Sequence, residues 1–369
     1  MSAVLPRVLM ITGRADSGGG PEHVFQLSRQ LLNDCDVFIA APREEPFWER
    51  YASLVGETRV CEIPHRHFSW QALHRLIAWS RKQEIDILHS HGRAGGLYGR
   101  LASIYLRCPS IHTPNCPLSF GTWRAPFYWL GDLVLSWTTT HIIAVSGTEA
   151  SSIRRQLFRN NGISTIFNGV ELPDIRIDSL SFLKRPLRIV HVTRFVPQKN
   201  SEMVLDILDQ LRSRGILEEF HLDIVGDGPG RRQLEVAAKN RRLDKHISFY
   251  GTQPSVGRFF LAGFCVLSTS RWEGLPIALL EALALGLPAI ATDTPGNNDV
   301  VSSSVGRLFS IGDPAAAADH LAELRKSTRS WHDLSNAAVN LVREHFSVRR
   351  MAEDTLAIYM RPLGKRQAS

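Results

Sequence analysis

Two glutamates, an arginine and a lysine carry the clearest chemistry in this sequence. Glu273 and Glu281 fall in the run Ser270-Arg271-Trp272-Glu273-Gly274-Leu275-Pro276-Ile277-Ala278-Leu279-Leu280-Glu281. Pro276 marks the start of a helix, so Glu273 belongs to the loop before it and Glu281 to the helix, a turn or more along. The backbone amides of Gly274 and Leu275 are unpaired at such a terminus and can hold a phosphate. A carboxylate beside an anion-binding terminus suits hydroxyl-rich ligands, because ionised carboxylates only accept hydrogen bonds. Glu281 stands among Leu280, Ala282 and Leu283, where a charged side chain calls for a specific partner. Arg194 and Lys199 lie in Thr193-Arg194-Phe195-Val196-Pro197-Gln198-Lys199-Asn200. Both can grip a diphosphate, Arg as a fork and Lys as a point charge. A third candidate is Gly18-Gly19-Gly20-Pro21-Glu22. Its glycines allow close backbone approach, and Pro21 in the first helical turn leaves a helix N-terminus for an anion. A purely structural tight turn accounts for the same residues equally well.

These residues need strand–helix units to position them, and the sequence alternates such units twice. Val8-Leu9-Met10-Ile11 is a short apolar run of the kind a buried parallel strand requires. A helix over residues 21–32 follows, with Val24, Leu27, Leu31 and Leu32 on one face, then the strand Val37-Phe38-Ile39. A helix through Leu73 and Ile77 precedes Ile85-Asp86-Ile87-Leu88, and another carries Leu97, Leu101 and Ile104. Ser110-Ile111-His112 and His141-Ile142-Ile143-Ala144-Val145 are further strands. The pattern restarts at Arg188-Ile189-Val190-His191-Val192 and runs through Leu222-Asp223-Ile224-Val225, Ile247-Ser248-Phe249-Tyr250, Val266-Leu267-Ser268 and Ala289-Ile290-Ala291. Such βαβα alternation implies α/β domains with parallel sheets. The link is expected between Asn168 and Pro186. Two Rossmann-like halves facing each other would bind ligand at their strand C-termini.

Composition agrees with this division. With 369 residues, 44% hydrophobic and 21% charged, the chain is globular and long enough for two cores. Of its 43 basic residues seven are Lys and 36 Arg, and the net charge is +7. An Arg surplus points to phosphate-bearing partners: nucleotides, nucleic acid or an anionic membrane. The five cysteines (Cys35, Cys61, Cys108, Cys116 and Cys265) are scattered, as in a reduced cytoplasmic protein with buried thiols. The N-terminus reads as a strand rather than a signal peptide, and no transmembrane helix is expected.

The Glu273/Glu281 pair, an E-x7-E spacing with Gly274-Leu275-Pro276 behind its first member, resembles the donor-site signature of family 4 glycosyltransferases. The Gly-rich loop ending in Glu22, Asn168-Gly169-Val170, Arg194 with Lys199-Asn200, Val225-Gly226-Asp227-Gly228-Pro229, Gly251 and Ala282-Leu283-Ala284-Leu285-Gly286-Leu287-Pro288 fit the same family. The resemblance implies the GT-B fold. Its parts would be an acceptor-side Rossmann-like domain over 1–175, a donor domain over 176–345, and a C-terminal helix with a frayed tail over 346–369 that returns to the first domain. It implies retaining hexosyl transfer from a UDP- or GDP-sugar, with no metal and no cofactor. Arg194 and Lys199 would bind the donor diphosphate, Glu273 the sugar hydroxyls, the Gly274 and Leu275 amides phosphate, and Glu281 the ribose. Gly18, Gly19 and Gly20 would also line the donor site. The metal-binding look of Asp34-Cys35-Asp36 is discounted, as it lies away from every donor motif.

Three departures from the family stand out. Thr193 replaces a usual Gly, and Pro295-Gly296-Asn297-Asn298-Asp299 replaces a Gly-Gly-x-x-Glu stretch. Asn115 occupies the place of the usual acceptor-domain His, with His112 three residues earlier. Either His112 substitutes for it, or Asn115 binds the acceptor without acid–base work. His89 and His91 are further strand-end candidates that alternation turns to one side. The aromatic stretch Phe120 to Leu130, and the segment with Trp70, Arg75, Trp79, Arg81 and Lys82, suggest peripheral docking on an anionic membrane that carries a lipid-linked acceptor. The expected acceptor is a glycan or glycolipid of the bacterial envelope, assembled at the inner face of the cytoplasmic membrane. Competing readings are a GT-B epimerase or phosphorylase, or a basic nucleic-acid-binding protein. The lack of a pyridoxal-lysine context counts against the phosphorylase, and the lack of any nucleic-acid module against the last.

Overall fold

The computed structural model describes residues 5–115, 125–158, 162–175, 177 and 185–367. The backbone separates into two compact units, one of Met1–Gly169 with Val348–Ser369, the other of Val170–Ser347. The chain therefore crosses between Gly169 and Val170, earlier than the expected boundary at 175, and returns between Ser347 and Val348.

In the first unit the order is β1 (Arg7–Thr12), α1 (Gly19–Leu31), β2 (Asp36–Ala41), α2 (Phe47–Val55), β3 (Val60–Glu62), α3 (Trp70–Lys82) and β4 (Ile87–His91). Then come α4 (Gly92–Leu106), β5 (Ser110–Thr113), α5 (Ala125–Ser136), β6 (His141–Ala144), α6 (Gly147–Leu157) and β7 (Ile163–Thr165). The seven strands form one sheet in the order β3-β2-β1-β4-β5-β6-β7, with every pairing parallel. Parallel strands covered on both faces read as near-continuous apolar runs, and Val8, Leu9, Met10 and Ile11 are all fully buried. Val8, Met10, Val37 and Ile39 pack against α1 and the last helix, α13 (Val348–Gln367). Leu9, Ile11, Phe38 and Leu88 pack against α3 and α4.

Helix α13 belongs to this first unit, through Met351, Ile358 and Tyr359 in the same core. The tail after Met360, expected to fray, continues as helix through Pro362 to Gln367. Leu363 packs against the α1–α13 core, which gives the last turns something to hold.

The second unit repeats the plan: β8 (Leu187–Val192), α7 (Met203–Ser213), β9 (Phe220–Val225), α8 (Arg231–Asn240), β10 (Ile247–Phe249), α9 (Gly257–Leu261) and β11 (Cys265–Ser268). It ends with α10 (Ile277–Ala284), β12 (Ala289–Thr292), β13 (Gly306–Phe309), α11 (Pro314–Leu324) and α12 (Thr328–His345). The order is β10-β9-β8-β11-β12-β13, again parallel. In both sheets the order reverses at the first strand of the unit, between β1 and β4 and between β8 and β11. Loops leaving the two strands at such a reversal point diverge and open a crevice at their C-terminal ends. Cys35, Cys61, Cys108 and Cys265 are buried, while Cys116 lies outside the described residues.

Candidate functional site

The second unit's reversal point brings the two motif loops together. Arg194 and Lys199 follow β8, Glu273 follows β11, and these strands are neighbours. Lys199 Nζ lies 2.6 Å from Glu273 Oε1, across 74 residues of sequence. Glu273 is only 8% exposed, so its carboxylate depends on this partner. The two loops are laced by backbone as well. The Arg271 amide donates to Gln198 O (2.8 Å), Gln198 Nε2 to Trp272 O (2.9 Å), and Thr269 Oγ1 to Lys199 O (2.9 Å). An ammonium has three donors, so Lys199 can keep Glu273 and still bond a phosphate oxygen. Arg194 is half-buried on the same loop, and Glu281 half-buried on α10. Among the described residues the Gly274 and Leu275 amides make no backbone hydrogen bond, just before the N-terminus of α10. That leaves two donors and the positive end of the helix at the side of Glu273.

Glycines hold the loops in place. Gly226 has φ +128°, and a Cβ there would sit 1.8 Å from Thr193 O; one at Gly228 would meet the Phe195 N at 2.8 Å. The Val225-Gly226-Asp227-Gly228 motif is thus the floor on which the Arg194 loop lies, and the Phe195 amide bonds Asp227 O at 3.2 Å. Thr193, in place of the usual Gly, is buried and bonds Ser201 through its hydroxyl (2.8 Å), tying the loop to the residues before α7. The altered stretch after β12 seats Glu273 itself. The Glu273 amide donates to Pro295 O (2.9 Å), and Asp299 accepts from the Gly296 amide at 3.3 Å. Fully buried Asn297 donates to Thr292 O (3.1 Å) and Oγ1. Gly296 has φ +87°, with the Glu273 backbone where a side chain would be. The stretch that departs from the family pattern is thus the one that positions the carboxylate.

At the first unit's reversal point the Gly-rich loop opens α1. A Cβ on Gly18 (φ +154°) would meet the Arg14 guanidinium at 2.9 Å, whereas one on Gly20 meets nothing within 4 Å. Gly18 is needed by the fold, and Gly20 leaves open space. Arg14 forks onto Asp16 (2.7 and 2.9 Å) and so braces the loop. Glu22 pairs with Arg50 (2.9 Å) and Gln26 (2.7 Å) on α1's surface. His89 and His91 do share a face, their rings 4.1 Å apart, and His23 of α1 stacks edge-on against His91 at 5.2 Å. His89 is tied to Tyr359 of α13 (2.6 Å) and Thr113 (2.8 Å). His23 and His91 are buried with no hydrogen bond on any ring nitrogen among the described residues. Burial pushes His23 down to about 4 and holds His89 and His91 well below the usual imidazole range. Sequence analysis did not single out His23; its place one turn after the Gly-rich loop was the available signal.

His112 points the other way. It is fully buried against α4, where a Cβ on Gly96 would lie 2.4 Å from its ring, and it bonds Ser90 O at 3.2 Å. Strand alternation explains this, since Thr113, not His112, shares the face of His89. The expectation that His112 could replace the missing acceptor-side His is corrected: it is a core imidazole, held neutral by burial. Asn115 sits at φ +60°, with its side-chain oxygen buried and, among the described residues, without a hydrogen bond. Among the described residues one cluster has metal-ligand spacing, Asp16, Glu44 and His65. Arg14 and Arg66 already flank Asp16, and their charge opposes a cation there.

Known proteins match the chain in both sequence and fold. Residues 175–340 match the family described as "Glycosyl transferases group 1", and residues 17–173 match "Glycosyltransferase Family 4". An Escherichia coli UDP-Gal:alpha-D-GlcNAc-diphosphoundecaprenol alpha-1,3-galactosyltransferase is 26% identical over 259 residues, 66% of each chain. The lipopolysaccharide 1,6-galactosyltransferase of E. coli K12 is 30% identical over 182 residues, 47% of this chain and 49% of that one. The matched stretches thus span two thirds or less of these relatives' own length. Among solved structures, Anabaena HepE in complex with UDP and glucose superposes with TM-score 0.85 at 15% identity, over 97% of this chain and 100% of that one. Its likeness shows the fold to be GT-B. With both halves matched in sequence and the fold matched along the chain, this protein belongs to the family 4 glycosyltransferases.

Proposed function

We propose that the chain transfers a hexosyl group from a UDP- or GDP-sugar, with retention at the anomeric carbon and without a metal, to a glycan or lipid-linked acceptor. Its place would be bacterial envelope polysaccharide or lipopolysaccharide synthesis, at the inner face of the cytoplasmic membrane. The observation that carries this reading is the 2.6 Å contact between Lys199 and Glu273, which puts a phosphate-binding cation and a hydroxyl-binding carboxylate in one crevice. The relatives add support: the E. coli enzyme's name gives it a UDP-sugar donor and a lipid diphosphate acceptor, and HepE binds UDP and glucose.

In this reading the bond from the anomeric carbon to the β-phosphate oxygen breaks, and negative charge grows on the diphosphate. Arg194, Lys199 and the amides before α10 meet that charge with dipoles already in place. Glu273 accepts hydrogen bonds from the donor sugar and Glu281 from the ribose. The acceptor oxygen bonds to the anomeric carbon on the face the diphosphate leaves, and its proton passes to the departing phosphate oxygen. The test is a panel of UDP- and GDP-sugars with mass-spectrometric detection of released nucleoside diphosphate. One donor should be consumed, and Glu273→Ala should abolish that consumption while the protein stays folded. Full turnover by Glu273→Ala, or no donor consumed, would overturn the reading.

A further inference from the structure

Helices α3 to α6 cover one face of the first unit's sheet, and α5 differs from the others in what it turns to water. Phe127, Leu130 and Val134 are 70, 53 and 61% exposed, and Trp137, one residue past the helix, 89%. At the helical repeat these four fall within an arc of about 80°. The opposite side of α5 is anchored. Trp129 donates to Gln156 O (2.8 Å), Asp132 accepts from buried Arg100 (2.7 Å), and Leu133 packs beside Ile153. The exposed stripe therefore follows from how the helix is docked. Scattered surface apolars are ordinary, but a contiguous stripe rimmed by polar groups marks an interaction site.

Charge identifies the occupant. Helices α3 to α6 hold two acids, Asp132 and Glu149. The first bonds Arg100, and the second is 1% exposed and accepts from the Val145 amide at 2.7 Å. Against them stand Arg75, Arg81 and Lys82 on α3 and Arg154 and Arg155 on α6. On the opposite layer several cations have acid partners, as in Arg50–Glu22 (2.9 Å) and Arg349–Glu353 (2.7 Å). An apolar stripe flanked by cations that make no ion pair among the described residues suits an anionic lipid surface. A second copy of this face would bring like charges together. Among the described residues no helix is long and apolar enough to cross a membrane.

We propose that α5, with the basic helices beside it, docks the first unit onto a bilayer surface containing anionic lipid. Phe127, Leu130 and Val134 enter the acyl boundary, and Trp137 lies at headgroup level. This deepens the membrane-linked acceptor of the proposed function and rests on that part of it. The test is flotation of the full chain with vesicles of phosphatidylethanolamine and phosphatidylglycerol, against phosphatidylcholine alone. The wild type should float with the anionic vesicles. The Leu130→Glu/Trp137→Glu variant should partition at least tenfold less, with its melting temperature and its hydrolysis of soluble donor unchanged. Arg154→Glu/Arg155→Glu should also weaken flotation, and this pair decides the matter if the first variant does not fold. Failure of the wild type to float with anionic vesicles, or equal flotation of wild type and variants, would overturn the proposal. So would a wild-type dimer that the Leu130→Glu/Trp137→Glu variant dissolves without any flotation. Donor hydrolysis in the same samples separates the two readings: hydrolysis without flotation refutes docking alone.

Discussion

Replacing Gly296 with alanine tests how strictly the turn after β12 positions Glu273. Gly296 has φ +87°, and an added Cβ would lie 2.7 Å from Glu273 Cβ, 2.8 Å from its carbonyl oxygen and 2.9 Å from its carbonyl carbon. Real Cβ contacts essentially never fall under 3.0 Å, and ordinary ones start at 3.4 Å, so one side must give way by several tenths of an ångström. Most of the obstruction is backbone, which a rotamer change cannot relieve. The Glu273 amide is bonded to Pro295 O, so the carboxylate moves with the turn and its 2.6 Å contact to Lys199 stretches. Gly312 supplies the control: it shares φ +87°, yet a Cβ there meets nothing within 4 Å. Both variants carry a left-handed backbone cost of about 1–2 kcal/mol. Only Gly296→Ala displaces a site residue, and a displacement approaching 1 Å costs about a hundredfold in rate. Steady-state donor turnover and thermal melting of both variants read the difference. Gly312→Ala should lose a few degrees and no activity, whereas Gly296→Ala should lose more stability and about two orders of magnitude in kcat/KM. Equal activity in the two variants would refute the claim that this turn sets the carboxylate.

Three further outcomes follow from buried groups. His23 and His191 are pushed down to about 4 by burial, and His89, His91 and His112 lie well below their usual range. The unfolded chain takes up these protons as pH falls below about 6.5, while in the folded chain His23 and His191 refuse them until near 4 and burial keeps the other three neutral as well, so stability is complete above 6.5 and falls as pH drops below it. Each histidine contributes up to about 1.4 kcal/mol per pH unit, and urea midpoints that do not move between pH 7.5 and 5 would contradict this. Tyr359→Phe strips His89 of its 2.6 Å partner on α13 and should cost about 1–3 kcal/mol. Hydrogen exchange should quicken in α13 while donor turnover stays as in wild type; unchanged exchange would count against the anchor. Gly226→Ala, which would sit 1.8 Å from Thr193 O, should cut UDP affinity more than Gly20→Ala, which has open space; equal affinities would refute the floor assigned to Gly226.

The buried parallel strands were legible where they read as near-continuous apolar runs, as Val8 to Ile11 does. Strands β3, β7 and β13, of three, three and four residues, leave no such run. Their pairing is imposed by neighbours, as Ile39 imposes on Val60. Helix α2, which buries Phe47, Tyr51 and Val55, also went unread. The donor-site residues were legible as types on loops, but not as a pair. Lys199 and Glu273 meet only because β8 lies beside β11, and strand order is a property of the whole sheet. His112 was misjudged for a local reason. The same alternation that aligned His89 with His91 places Thr113, rather than His112, beside them. The contiguous aromatic reading of Phe120 to Leu130 falls partly outside the described residues, and Trp79 packs on Phe38 in the core (5.9 Å). The exposed stripe takes Phe127 and Leu130 from that stretch and continues with Val134 and Trp137.

The central claim is that Lys199 and Glu273 form one donor crevice, and the most direct test is a calorimetric titration of UDP and of GDP into the wild type and Lys199→Met at fixed salt. The wild type should bind one of the two, and the variant should bind it about 10- to 100-fold more weakly, as loss of a charge-assisted hydrogen bond requires. Equal affinity in the variant, or no binding of either nucleotide by the wild type, would contradict the account.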